Sequence, residues 1–193
     1  MSVPELTSRR LVLRIATPDQ LRADLVSARA LSEACGWPLA TDWPPQYWEP
    51  EPVKWALDKI GAEPDEPFWR PWFVRLSGGP LIGTVGHKGP PDANGYVEVG
   101  YTIVTSCWRQ GYASEALATL IHWVASTGRV RGVCAHTLAG DPASSGVLRR
   151  NGFALVSTLT DPDDGEIDRY ELILPAGSRI GPPDGTGETS STR

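Results

Sequence analysis

Three consecutive strand-like segments, broken by glycine- and proline-rich turns and followed by a strong helix former, constrain this chain most. "FWRPWFVRL", "LIGTVGHK" and "GYVEVGYTIV" are separated by "SGGP" and "GPPDANG". Breaks of that composition are turn chemistry, and the Asn94-Gly95 pair suits a tight hairpin. The three segments therefore predict an antiparallel meander. Within the third, Tyr96, Glu98, Gly100 and Thr102 share one face, and Val97, Val99, Tyr101 and Ile103 share the other.

The rest of the chain surrounds this meander with strands and a few helices. In "RRLVLRIAT" the residues Leu11, Leu13 and Ile15 alternate with Arg10, Val12 and Arg14, which predicts a strand. Leu21, Leu25, Ala28 and Leu31 recur at helical spacing from Pro18 to about Ala34, with Thr17 as N-cap. A loop, "GWPLATDWPPQYWEP", leads to a second helix over Pro52 to Ile60 that ends at Gly61. Beyond the meander a helix from about Arg109 to Ser126 gathers Ala113, Ala116, Leu117, Leu120, Ile121 and Val124 on one face. A strand "GVCAHTL", a short helix "PASSGVLRRN" ending at Gly152, and strands "FALVSTL" and "EIDRYELIL" follow. This order predicts an α+β fold with a mixed, mainly antiparallel sheet. A length of 193 residues suits one domain, expected over residues 1–175. Residues 176–193, rich in Gly, Pro, Ser and Thr, read as a disordered tail.

Charge and composition exclude some partners. A formal net charge of −5 offers no basic excess for phosphates, so no nucleic acid is expected, while a cationic amine substrate is accommodated. No apolar run approaches the roughly 20 residues that span a bilayer, and the N-terminus carries no secretory apolar segment. A cytoplasmic protein with no membrane partner is the expectation. Three cysteines and three histidines lack metal-ligand spacing, so no metal is expected.

The segment "TSCWRQGYASEAL" places a glycine between a strand and a helix. A helix N-terminus presents unpaired N–H groups and the positive end of the helix dipole, and binds phosphate where side chains leave the approach open. Gly111 and Ala113 keep it open, and Arg109 adds a cation. The alternative is that Gly111 only permits a tight turn. No P-loop or dinucleotide fingerprint is present.

These features resemble the GNAT superfamily of N-acetyltransferases, in particular its RimJ/RimL-like branch. "WRQGYA" is similar to that superfamily's Q/R-x-x-G-x-G/A turn, with Trp108 in the first position. "DPASSGVLRRNGF" resembles the branch's N-x-x-S-x-x-V-L-x-x-x-G-F helix through Ser144, Val147, Leu148, Gly152 and Phe153. Asp141 replaces its asparagine, which in relatives hydrogen-bonds the cofactor; an ionised aspartate can only accept. "RRLVLR", "VEVGYTI" and "GFALV" also fit, so the likeness covers roughly residues 8 to 174.

The resemblance implies a GNAT-like fold and direct acetyl transfer from acetyl-CoA to an amine, either a small molecule or a protein N-terminus. It implies that Arg109, Gln110, Gly111, Tyr112, Ala113 and Ser114 hold the cofactor diphosphate, with Asp141 at the asparagine position. The thioester oxygen is expected on backbone N–H groups around Ile103 and Val104. Glu98 is the candidate base, against the alternative of a solvated strand charge. Many GNAT enzymes protonate the thiolate with a tyrosine where this chain has Leu148, and the branch suggests Ser144 instead. Trp37, Trp43, Trp48 and Trp55 fall in or beside the loop that covers the acceptor in the family; anchoring that loop is the alternative role. A homodimer is left open, as is a catalytically silent CoA-binding or acyl-CoA-sensing module.

Overall fold

Apolar residues build a sheet whose central strands Trp72–Leu76 and Leu81–His87 are buried on both faces, while the edge strands Glu5–Thr7 and Ala154–Asp161 are largely exposed. The strands are β1 (Glu5–Thr7), β2 (Leu11–Ile15), β3 (Trp72–Leu76), β4 (Leu81–His87), β5 (Tyr96–Ile103), β6 (Gly132–Leu138), β7 (Ala154–Asp161) and β8 (Gly165–Ile173). The helices are α1 (Pro18–Val26), α2 (Ala28–Cys35), α3 (Pro50–Ala62), α4 (Tyr112–Ser126) and α5 (Pro142–Arg150). This computed structural model describes residues 5–66, 68 and 70–175. The expected tail from residue 176 lies outside the described residues.

The strands form one sheet in the order β1-β2-β3-β4-β5-β6-β8-β7. All neighbours are antiparallel except β5 and β6. On one face Leu13, Val74, Val85, Val97, Val99 and Val133 pack against Leu117, Leu120 and Val124 of α4 and Leu148 of α5. On the other, Phe73 and Leu81 pack with Leu21, Leu31, Trp37 and Ile60 from the region of α1 to α3. The α+β expectation and the antiparallel meander of β3, β4 and β5 hold.

Four local expectations change, two of them because a polar side chain decides the backbone. The single helix expected over residues 18 to 34 is two, because Ser27 is extended (φ −173°, ψ 161°) and its side chain caps α2 by accepting from the Ala30 amide. Thr17 does cap α1, in a capping box with Gln20. The second helix runs from Pro50 to Ala62, past the expected stop at Gly61. Asn94-Gly95 does not form a two-residue hairpin, since the β4–β5 ladder ends at His87 opposite Val99. Instead the Asp92 carboxylate accepts from the Asn94 and Tyr96 amides, both at 2.9 Å, and Gly95 supplies the left-handed residue at φ 81°. Finally, α4 begins at Tyr112 rather than near Arg109, whose φ of 58° is not helical.

The pairing of β5 with β6 is short. Only Tyr96, Val97 and Glu98 pair, opposite Gly132, Val133 and Cys134. Beyond that point β5 continues along β4 to Ile103, and β6 continues along β8 to Leu138. The two strands therefore open a wedge in mid-sheet.

A buried aromatic cluster lies near the end of β4. The His87 ring is T-shaped against Phe68 at 4.9 Å and tilted against Trp123 at 5.7 Å. Neither of its nitrogens has a hydrogen-bond partner among the described residues. Burial drives its pKa down from 6.5 to about 3. The unfolded chain therefore takes up a proton below pH 6.5 that the folded state refuses, so stability falls with acidification until about pH 3. The slope from this group approaches about 1.4 kcal/mol per pH unit. His87→Leu, which removes both unpartnered nitrogens, is expected to flatten the acid limb of stability between pH 6 and 4, measured by urea unfolding at stepped pH. An unchanged limb would show that His87 does not carry it.

Candidate active site

The wedge between β5 and β6 is one end of a cleft of about 890 Å³. Tyr101, Thr102 and Ile103 of β5 line one wall, and Thr137 and Leu138 of β6 another. The turn before α4 and the first turns of α5 complete it. The hydrogen bonds Lys88 N–H to Glu98 O (2.9 Å) and Val104 N–H to Ile82 O (2.8 Å) fix the alternation of the β4–β5 ladder. Even-numbered residues from 98 to 104 thus bond to β4, and the amides of Tyr101 and Ile103 point into the wedge. This adjusts the expected donors for a carbonyl oxygen. Ile103 is available, whereas the Val104 amide is already taken and its side chain is fully buried.

At the far end the N-terminus of α4 opens into the same cleft. Gly111 is its N-cap in the left-handed region (φ 81°), and no side chain caps the helix. The amides of residues 112 to 114 have no protein acceptor among the described residues, and Glu115 is the first to find one, at Gly111 O (3.0 Å). A β-carbon on Gly111 would meet only Arg10 Nη2, at 3.4 Å, so the approach is open. Arg109, Gly111, Tyr112, Ala113 and Ser114 all line the cleft, as the sequence predicts. Gln110 is not among the lining residues. Its side chain turns back to donate to Ser106 O (3.1 Å), and its carbonyl accepts from Arg10 (3.0 Å). The turn is thus braced from outside: Arg10 also pairs with Glu115 at 2.7 Å and stacks on Tyr112 at 4.4 Å. Trp108 donates its indole N–H to Ile103 O at 2.6 Å, satisfying a carbonyl that the wedge leaves without a strand partner.

Glu98 marks the apex of the wedge on the opposite face from α4. Its Oε1 is 2.6 Å from Lys88 Nζ and 3.1 Å from His136 Nδ1. Burial pulls its pKa up, but the hydrogen bonds and charges of Lys88 and His136 outweigh burial and hold the carboxyl below its ordinary value. Next along this face, Gly100 leaves a hollow: a β-carbon there would meet only Lys88 Cε, at 3.8 Å. Packing does not require this glycine, so its missing side chain is free space beside the carboxylate.

The tryptophan-rich loop divides differently from the expectation. Trp37 is core, with Arg14 and Arg75 over its ring at 4.1 and 5.1 Å. Trp48 donates to the buried Asp24 at 3.1 Å, and Trp43 packs between both cores. These three anchor the loop. Tyr47 reaches the cleft instead, in a left-handed backbone (φ 69°) and 84% exposed. Asp42 ties the loop to the turn before α4 through Thr105 Oγ1, Ser106 N and Ser106 Oγ, each at 2.8 Å.

From α5, Asp141, Ser144, Val147 and Arg150 face the cleft. Asp141 has a structural duty that its sequence context, Asp-Pro-Ala-Ser, encodes: its Oδ1 caps α5 by accepting from Ala143 N (2.8 Å) and Ser144 N (3.3 Å). Tyr101 donates its phenol to Ser144 O at 3.1 Å, joining β5 to α5 across the wedge. No motif flags Tyr101, although its place at the end of a strand before the turn was visible. Leu148, at the position of the expected tyrosine, is fully buried. Asp141→Ala is expected to cost about 1 kcal/mol as a lost N-cap, which lowers Tm by about 2–4 °C in a domain of this size. Asp141→Asn, which can still accept, should recover most of that loss by calorimetry; equal losses would remove the capping role.

Comparison with known proteins agrees with this geometry. Residues 10–154 match the Acetyltransferase (GNAT) domain. A stretch of 75 residues is 35% identical to the uncharacterized N-acetyltransferase YjdG of Bacillus subtilis, covering 39% of this chain and 45% of that protein. Another of 79 residues is 35% identical to the ribosomal-protein-serine acetyltransferase of Escherichia coli, covering 41% and 44%. The chain thus spans less than half the length of these curated relatives. Its fold is similar to that of a RimL ribosomal alpha-N-protein acetyltransferase solved in complex with coenzyme A. The TM-score is 0.65 at 21% identity, over 90% of this chain and 99% of that one. With three quarters of its length inside the domain match and the wedge, turn and helix N-terminus in place, the chain belongs to the GNAT acetyltransferase domain family.

Proposed function

We propose that this protein transfers an acetyl group from acetyl-CoA to a primary amine, carried by a small molecule or a protein N-terminus. The observation that carries this reading is the single cleft joining an uncapped α4 N-terminus to the amides of Tyr101 and Ile103 in the wedge. The first suits a diphosphate, and the second suits the oxygen of a thioester. The cleft also has the volume for an extended cofactor arm between them. Acetyl-CoA supplies the activated acetyl group, and the protein's own residues orient it and manage protons.

Each group has a stated task. The amides of residues 109 to 114 and the Arg109 guanidinium hold the diphosphate. The Ile103 amide faces the thioester oxygen. The hollow over Gly100 admits the acceptor nitrogen, and its proton is drawn off at Glu98, a carboxylate that is paired with His136. Ser144, on the first turn of α5, meets the leaving thiolate. The likeness to a ribosomal-protein-serine acetyltransferase favours a protein N-terminus among acceptors. A silent CoA-binding module has less support, because Gly100 leaves space beside an ionised carboxylate that binding alone does not need.

Thioester turnover with a panel of amines and free N-terminal peptides separates these readings: release of CoA thiol only with acceptor supports transfer. Binding without turnover supports the silent module. Gly111→Val should weaken acetyl-CoA binding at least about tenfold by calorimetry, a loss of roughly 1.4 kcal/mol. A β-branched residue at φ 81° is strained, and its methyl groups crowd the free amides. Wild-type affinity in that variant would put the diphosphate elsewhere.

Glu98→Gln keeps the shape and removes the basic oxygen. Acetyl-CoA affinity is expected to hold while turnover falls about 10²- to 10⁴-fold at neutral pH. The loss should shrink at high pH, where more of the amine is already unprotonated. Equal turnover across the pH range would return Glu98 to a purely structural role.

A further inference from the structure

We infer that the proton of the acceptor ammonium passes first to Nε2 of His136, and that Glu98 is the positioning residue that holds this imidazole through Nδ1. This inference rests on the acetyl-transfer reading and assigns the base within it.

The geometry comes from the wedge. Glu98 is the last paired residue of β5, opposite Cys134 of β6. His136 lies two residues further along β6, on the same face as Cys134 and on the diverging arm. Had the ladder continued, His136 would face Gly100. The imidazole therefore stands across the opening from the missing side chain, and its Nδ1 lies 3.1 Å from Glu98 Oε1. A histidine that donates Nδ1–H to a carboxylate keeps the lone pair on Nε2. Nε2 has no hydrogen-bond partner among the described residues, and the side chain is 20% exposed, enough for an acceptor to reach it.

The carboxylate oxygen that faces the ring is already engaged. Glu98 Oε1 is shared between Lys88 at 2.6 Å and His136, and these partners favour the ionised form. The Nε2 lone pair of His136 has no such partner among the described residues. The charged and titratable groups around the ring are Glu98 of β5, Lys88 beyond β4, Cys134 on its own strand, Arg169 opposite it on β8 and Asp161 of β7. Arg169 is itself engaged with Glu171 at 2.8 Å.

The protons balance. His136 Nε2 takes one of the three ammonium protons, and the nitrogen then forms the C–N bond as the C–S bond of the thioester breaks. A second proton from the nitrogen ends on the thiolate, and the third stays on the amide. His136 returns its proton to solvent.

Two measurements test the assignment on the full chain. The first is independent of turnover: ¹⁵N-edited NMR of the histidine ring nitrogens should show His136 protonated at Nδ1 in the neutral form, with that preference lost in Glu98→Gln. An Nε2–H ring in the wild type overturns the proposal. The second uses a peptide with a free N-terminal serine and tyramine as acceptors. His136→Asn keeps a donor toward Glu98 but removes Nε2, so kcat should fall about 10²- to 10⁴-fold with acetyl-CoA affinity unchanged. The His136→Asn/Glu98→Gln double variant should be no slower than the worse single variant, because the pair acts as one unit. A His136→Asn enzyme within threefold of wild type, or losses that multiply, overturns the proposal and leaves the proton to Glu98 itself. If the wild type acetylates neither acceptor nor any amine of the panel, the acetyl-transfer reading fails, while the NMR result still decides whether the pair exists.

Discussion

Everything in the site depends on β5 and β6 parting after three paired residues. A strand edge released in mid-sheet leaves backbone groups that must find partners or be offered to a ligand. The chain answers some of these demands internally. Trp108 donates to Ile103 O, and the Tyr101 phenol bonds to Ser144 O on α5. The amides of Tyr101 and Ile103 are left facing the opening. The sheet thus parts between β5 and β6 with some of its freed backbone groups satisfied from within the chain.

The turn before α4 is stiffened from three sides. Arg10 of the β1–β2 region, Asp42 of the tryptophan-anchored loop and Gln110 within the turn each hold it by hydrogen bonds. The surface ion pairs involved contribute little to stability by themselves. Their effect is positional: they fix the direction of the backbone amides at the start of α4. The same belt joins the tryptophan-rich loop to the turn before α4, so both walls of the cleft share one scaffold.

Much of this was legible from residues alone. Strand alternation in β2 and β5, the meander, the face of α4 and the glycine that precedes it follow from spacing and from the conformations that side chains permit. The misreadings have a common cause in short-range polar competition. Ser27 outcompeted helix continuity by capping α2, and Asp92 converted an apparent Asn-Gly hairpin into a wider turn. Asp141 stands at the asparagine position of the family pattern and, followed by Pro142, also caps α5. Of the two roles open to the loop tryptophans, Trp37, Trp43 and Trp48 take that of anchors, because large aromatic surfaces gain most from burial.

By itself the sequence determined which faces are apolar, that a glycine stands between a strand and a helix, and that a carboxylate and a glycine sit on one face of β5. These are properties of neighbours within a few residues. Only the tertiary structure decided that Glu98 meets Lys88 and His136, that Tyr101 reaches α5, and that the Val104 amide is consumed by β4 while that of Ile103 is not. Those outcomes rest on the register and on the point where two strands, 36 positions apart at Glu98 and Cys134, stop pairing. Period-two spacing gives the face of a side chain. It carries no information about which strand lies alongside, and that neighbour settles each proton and each free hydrogen-bonding group.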